Sequence, residues 1–196
     1  MIDKTIFKIL LFPFTLIYGA GIVIRNLLYT VNLSKSVKFN VPVISVGNLS
    51  VGGAGKSPHI EYFINLLKDH IDVAILSRGY KRKTTGFLMA ENHHAATEIG
   101  DEPRMFKQKF PDVTVAVGER RIFAIPQIIK EKPDTKVVFL DDAFQHRAVT
   151  PSLNILLTEF NEPFYKDILM PSGRLREFRS GYKRADIIIV SKCPSD

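Results

Sequence analysis

A single cysteine, Cys193, stands in the 196 residues, so the chain forms no intrachain disulfide and no zinc cluster built on several cysteines. A reducing, cytosolic setting fits that scarcity. Acidic residues are also in the minority, 20 Asp and Glu against 27 Lys and Arg. The resulting formal charge of +7 favours anionic partners such as phosphates, nucleic acid or acidic membrane without choosing among them. Internal repeats, low-complexity tracts and long flexible linkers are absent from the sequence, which excludes solenoids and disordered arrays. Long apolar runs are scarce too. The one segment with membrane character, Ile9 to Ile24, holds 16 uncharged residues between Lys8 and Arg25 and is interrupted by Pro13, Gly19 and Gly21. A bilayer core takes roughly 20 apolar residues, so the run reads less as a clean transmembrane span than as an interfacial helix, with Lys4, Lys8 and Arg25 near anionic headgroups. An apolar helix packed on the chain's own core is the other reading.

What is present is one domain's worth of hydrophobic sequence, 45% of residues, patterned as short β-rich runs alternating with helices. The expected fold is α/β, a mostly parallel sheet of the P-loop NTPase type flanked by helices. Strands are expected at 42–46, 73–76, 113–117, 137–140, 154–157 and 186–190, with a weaker one at 87–90. Unbroken apolar runs suit strands buried on both faces. Helices are expected at 56–69, near Asp101, and near Glu119 with a kink or break at Pro126. Residues 1–35 form an apolar membrane-associating segment and 36–196 a core. The basic stretch 174–184 reads as a loop. With no helix to cover the last strand, the core is expected to be truncated before a second lobe.

The most informative stretch is Val43 to Ser57, an apolar strand, a glycine-rich loop and a helix start in that order. Gly52, Gly53 and Gly55 let the backbone of Ser50, Val51, Gly52, Gly53, Ala54 and Gly55 curl around phosphate oxygens. Lys56 reaches the β- and γ-phosphates, and the Ser57 hydroxyl suits magnesium. Ser50 stands where the strict pattern has its first glycine. Val137 to Asp142 then ends an apolar strand in two acids, Asp141 and Asp142, at the sheet edge where α/β proteins bind ligands and where magnesium takes one or two carboxylates. In Gly100-Asp-Glu-Pro103, Asp101 and Glu102 suit either an ordinary helix N-terminus or a carboxylate that accepts a proton from an attacking hydroxyl. Basic clusters at 78–83, 120–121 and 174–184 are placed to meet a phosphorylated substrate or to lie solvated at the surface. His146 is a phosphate or metal contact or a hydrogen-bonded structural group.

Five ordered motifs carry a family resemblance: Gly47 to Pro58, Leu76 to Tyr80, Gly100 to Pro103, Leu140 to His146 and Pro171 to Glu177. Together they resemble the tetraacyldisaccharide 4′-kinases, the lipid A 4′-kinases of Gram-negative bacteria. The resemblance implies ATP and Mg2+ as cofactors, an anionic acylated disaccharide as acceptor, and work at the cytoplasmic face of the inner membrane, peripheral or monotopic. It implies Asp101 as general base, with Lys56 and Asp142 also catalytic. Ser57, Glu102, Asp141 and Asp142 become the metal side, and Arg78, Arg121 and Arg176 the contacts to substrate or nucleotide phosphates. Ala143 departs from the glycine usual at that place, and no residue matches the histidine that the family's C-terminal lobe supplies. The competing reading is a GTPase or ATPase switch, suggested by Ser191 to Pro194, which is similar to a guanine-reading loop. Basic residues interleaved with aromatics are not evident, so no nucleic acid is expected.

Overall fold

The computed structural model describes residues 4–194, with side chains from Lys8 onward, so the Lys4 side chain lies outside the described residues. A long helix α1 (Lys4–Thr30) precedes β1 (Val43–Asn48), α2 (Lys56–Leu67), β2 (Val73–Ser77) and a short β3 (Leu88–Met89). There follow α3 (Ala96–Ile99), α4 (Asp101–Lys109), β4 (Thr114–Val117), α5 (Arg121–Glu131), β5 (Val137–Asp141), β6 (Leu153–Glu159) and β7 (Ile187–Ser191). The strands form one seven-stranded sheet in the order β3-β4-β2-β5-β1-β6-β7. All pairings are parallel except β3 with β4. Each expected strand is present. β2 and β5 are buried along their whole length, as their unbroken apolar sequences require.

The sheet is covered on two faces. Ile60 and Ile64 of α2 and Phe106 of α4 pack with Val46, Ile75 and Phe139 on one side. On the other, Ala124, Ile125 and Ile128 of α5 pack with Val43, Leu76 and Val138. A smaller cluster of Ile22, Leu49, Phe144, Leu156 and Leu175 extends that second side beneath α1. β1 lies between β5 and β6, so chain connections leave it in opposite directions. This is where open α/β sheets hold their ligands, beyond the carboxyl ends of the strands.

Several details differ from expectation. α5 runs through Pro126 as one helix, so the proline neither ends nor divides it. α3 was not foreseen; its first free N–H, on Ala95, is satisfied by the Glu98 carboxylate at 2.8 Å. The basic stretch is partly ordered as a 3-10 helix, Arg179–Arg184. β7 is the least covered strand, with Ile187, Ile188 and Val190 each nearly half exposed.

α1 is longer than the uncharged run. It holds 27 residues through Pro13 and both glycines, and Lys8–Thr30 is long and apolar enough to cross a membrane by length and composition. Only one narrow stripe meets the protein: Thr15, Gly19 and Ile22 are buried, with Leu11, Tyr18, Asn26 and Tyr29 partly so. These positions recur every three or four residues, as one helix face does. Ile9, Leu10, Phe12, Phe14, Leu16, Ile17, Val23, Ile24 and Leu27 stand exposed around them. The inward stripe thus mixes apolar Leu11 and Ile22 with the polar Thr15, Tyr18 and Asn26, while most of the helix's large apolar side chains face out.

Candidate active site

The site begins where β1 stops. Asn48 ends the strand, residues 49–55 turn back, and α2 starts at Lys56 with its free N–H groups facing the loop. Gly55 has φ +82°, a left-handed conformation that a side chain would strain. Ser50 takes no such conformation, so the missing first glycine is tolerated here. Instead Ser50 bridges Leu175 in antiparallel fashion, and the Val51 N–H donates to the Arg174 carbonyl at 2.8 Å. Val51, Gly52 and Gly53 are exposed while Ala54 is buried, so the loop presents its glycine-rich tip and anchors its base.

Lys56 is 9% exposed, and its ammonium lies 3.3 Å from Asn48 Oδ1 and 3.5 Å from Asp142 Oδ1. A buried ammonium needs partners, and these two hold it beside the loop. The Ser57 hydroxyl donates to Glu102 Oε1 at 3.4 Å. Asp141, at the end of β5, is 1% exposed and accepts a hydrogen bond from Ser77 at 3.1 Å. Burial, and then the nearby Glu102 and Asp142 carboxylates, push its pKa up to about 7 against the pull of Lys56 and Ser77. Asp142 follows with φ +48° and receives the Arg176 guanidinium at 2.7 Å. Arg121, 3% exposed, donates to the Asp141 carbonyl at 3.4 Å; burial lowers its pKa to about 10 against the opposing charge of Asp141, with nearby Arg78 adding to the lowering. Ala143 is buried in the α5-side core at ordinary φ, so its methyl is accommodated where glycine is usual.

A close approach of two glycines sets the remaining acids. A Cβ on Gly100 would lie 3.0 Å from Gly79 Cα, and Gly100 has φ +94°. The turn carrying Arg78 therefore packs directly on the start of α4. Gly100, not Asp101, is the N-cap, and no side chain caps the helix. The capping explanation for Asp101 thus falls away: it is exposed at the first helical position, on the same turn as Glu102.

The predicted residues Lys56, Ser57, Glu102, Asp141, Asp142, Arg121 and Arg176 are thus joined by contacts or mutual charge effects, and Asp101 and Arg78 stand on the two turns that meet beside them. Asn48, Ser77 and Gln145, whose amide donates to the Asn48 carbonyl at 2.8 Å, were not singled out from the sequence. Their only signal was membership in the quoted motifs, because each acts through a partner distant in sequence. His146 makes no contact with the acidic cluster, although it lies within the field of Arg121 and Arg78. It lines a cavity of about 280 Å³ on the α5 side with Ser45 and Asn154; burial and three arginines lower its pKa to about 4. That environment makes it a neutral, interior group.

A hard divalent cation fits the acidic edge. The Oδ1 atoms of Asp141 and Asp142 are buried without hydrogen-bond partners, and Ser57 Oγ is loosely held. Among the described residues no three His, Cys, Asp or Glu side chains form a complete metal cage. Magnesium asks for less, one or two carboxylates with waters and phosphate oxygens.

A mostly parallel sheet, a strand, glycine-rich loop and helix in succession, and a buried lysine with facing acids define an α/β protein of the P-loop class. Residues 7–196 match the family model described as tetraacyldisaccharide-1-P 4′-kinase. The chain belongs to that family. It is 51% identical to the tetraacyldisaccharide 4′-kinase of Parabacteroides distasonis, over 98% of this chain and 53% of the relative. It is 52% identical to that of Bacteroides thetaiotaomicron, over 95% of this chain and 49% of the relative. The crystal structure of LpxK from Aquifex aeolicus in complex with ATP superimposes with a TM-score of 0.87 at 42% identity, covering 95% of this chain and 59% of that one. The chain spans about half the length of the curated relatives it matches.

Proposed function

We propose that this chain carries the nucleotide-binding and phosphoryl-transfer part of a tetraacyldisaccharide 4′-kinase. It moves the ATP γ-phosphate to the 4′-hydroxyl of an acylated disaccharide 1-phosphate, the lipid A precursor. The single observation that carries the reading is the meeting of Lys56, Ser57 and Glu102 with Asp141 and Asp142 at the mouth of a glycine-rich loop. Backbone N–H groups of 50–57 hold the triphosphate, and Lys56 balances charge on its outer phosphates. Ser57, Glu102, Asp141 and Asp142 would hold Mg2+, which would neutralise phosphate charge there. Asp101 accepts the proton of the attacking hydroxyl, and Arg78, Arg121 and Arg176 steady the substrate and nucleotide phosphates. Residues 36–196 serve as the kinase core and residues 1–35 as its attachment to the cytoplasmic face of the inner membrane. The outward apolar faces of α1 support that attachment. Contacts from the Lys8 carbonyl to Tyr29 support a helix that lies along the core instead of projecting from it.

Family membership favours an alcohol acceptor over water. The test is transfer from labelled ATP to the disaccharide lipid in mixed micelles, with GTP as competitor. Lys56→Ala and Asp101→Ala are each expected to slow transfer on the order of 100-fold or more with folding retained. Equal rates in all three proteins would remove both roles, and GTP-selective hydrolysis without lipid would favour the switch.

A further inference from the structure

The segment 169–178 is held between α1 and the phosphate loop. On its loop side, the Arg176 N–H donates to the Leu49 carbonyl and the Val51 N–H to the Arg174 carbonyl, each at 2.8 Å. These two bonds flank the Ser50–Leu175 bridge, so the loop's first residues are paired as in a small sheet. On its helix side, the Thr15 and Ser172 hydroxyls lie 2.7 Å apart and the Ser172 N–H donates to Thr15 Oγ1 at 3.1 Å. The Tyr18 hydroxyl donates to the Arg176 carbonyl at 2.9 Å, and the Asn26 amide donates to Glu177 at 3.1 Å. Thr15 and Ser172 are both buried. The residue gripped by Tyr18 is also the one whose guanidinium holds Asp142, which in turn faces Lys56.

A helix serving only as an anchor would need apolar contacts to its own core and no ordered hydroxyls beneath it. Here, beside the apolar contact of Ile22, the inward stripe carries Thr15, Tyr18 and Asn26 hydrogen-bonded to the segment that braces the loop. We infer that Thr15 and Tyr18 are positioning residues: through residues 172–176 they set the backbone of the phosphate loop and the reach of Arg176 toward Asp142. The inference rests on the phosphate-site reading and adds that the lipid-facing helix is part of the site's support. A shift of α1 at a lipid surface is thereby passed to the loop without any contact between helix and nucleotide.

Tyr18→Phe and Thr15→Val remove the hydrogen-bonding groups while keeping most of the shape. Amide hydrogen exchange in the nucleotide-free protein reads the effect directly. Exchange at Val51 and Arg176 is expected to quicken on the order of tenfold in both variants, while amides of β2 and β5 stay at wild-type rates. In the kinase assay both variants should raise the KM for MgATP several-fold at unchanged vesicle binding. Thr15→Ser, which restores the hydroxyl, should return both readouts to wild type. Wild-type exchange at Val51 and Arg176 in Tyr18→Phe and Thr15→Val would overturn the inference, as would loss of vesicle binding with KM untouched. A wild-type protein that takes up no MgATP overturns the nucleotide reading, whereas the exchange result stands or falls without nucleotide.

Discussion

Asp141 shows how the site costs the fold stability. Its carboxylate is buried beside two others, and burial is the largest reason for its raised pKa. The folded-state pKa, about 7, lies above the ordinary carboxylate value of 3.8, so the folded form holds the proton more tightly. The stability this contributes is full below the unfolded value and is lost as the pH rises through about 7. In magnesium-free buffer the wild type should therefore melt lower at pH 8 than at pH 6. Asp141→Asn should flatten that slope and gain on the order of 1–4 kcal/mol at pH 8, while transfer activity falls sharply. A thermal melt series across that range checks it, and parallel slopes for the two proteins would refute it. The acids at this edge were legible because a strand that ends in paired carboxylates is a local pattern. Asn48 and Ser77 were not, because their importance lies in partners 8 and 64 residues away.

At the scale of elements, strands were read well because burial on both faces leaves an unbroken apolar run, as in Val137 to Leu140. The uncharged run 9–24 is shorter than α1, because charge does not mark the ends of this helix. Lys8 and Arg25 lie within the helix, where long side chains bend away from apolar surroundings, and the Arg25 guanidinium turns to the Gln145 carbonyl. Its inward polar stripe was hidden as well, since Thr15, Tyr18 and Asn26 gain meaning only against residues 172–177. The outward face predicts its own test. Ile17 is 71% exposed, so Ile17→Asp should leave the melting temperature nearly unchanged. Binding to anionic vesicles should fall on the order of tenfold, read by co-sedimentation. Undiminished binding would argue against a lipid-facing α1.

For the molecule as a whole, the net charge of +7 now has a distribution. Arg78, Arg121 and Arg176 stand beside the Asp141 and Asp142 carboxylates at the mouth of the glycine-rich loop, so positive and negative charge are interleaved there. Some other cations are held in ion pairs within the fold, Arg82 with Glu119 and Arg184 with Glu177, and many lysines are exposed. Ligand binding should reach the global fold, because the loop, β5 and α4 all contribute to one site. At about 100 times its dissociation constant, MgATP should stabilise the protein by about 2.7 kcal/mol. That amounts to a rise of about 5–10 °C in Tm, and Lys56→Ala should lose most of it. An equal rise in Lys56→Ala would place the nucleotide elsewhere.

The polar groups on the inner stripe of α1 also limit what can replace it. A foreign greasy helix grafted at the N-terminus would tether the enzyme to lipid, yet it would lack the hydroxyls that grip residues 172–176. On the proposed reading, attachment to lipid and support of the loop are separable properties of that one helix.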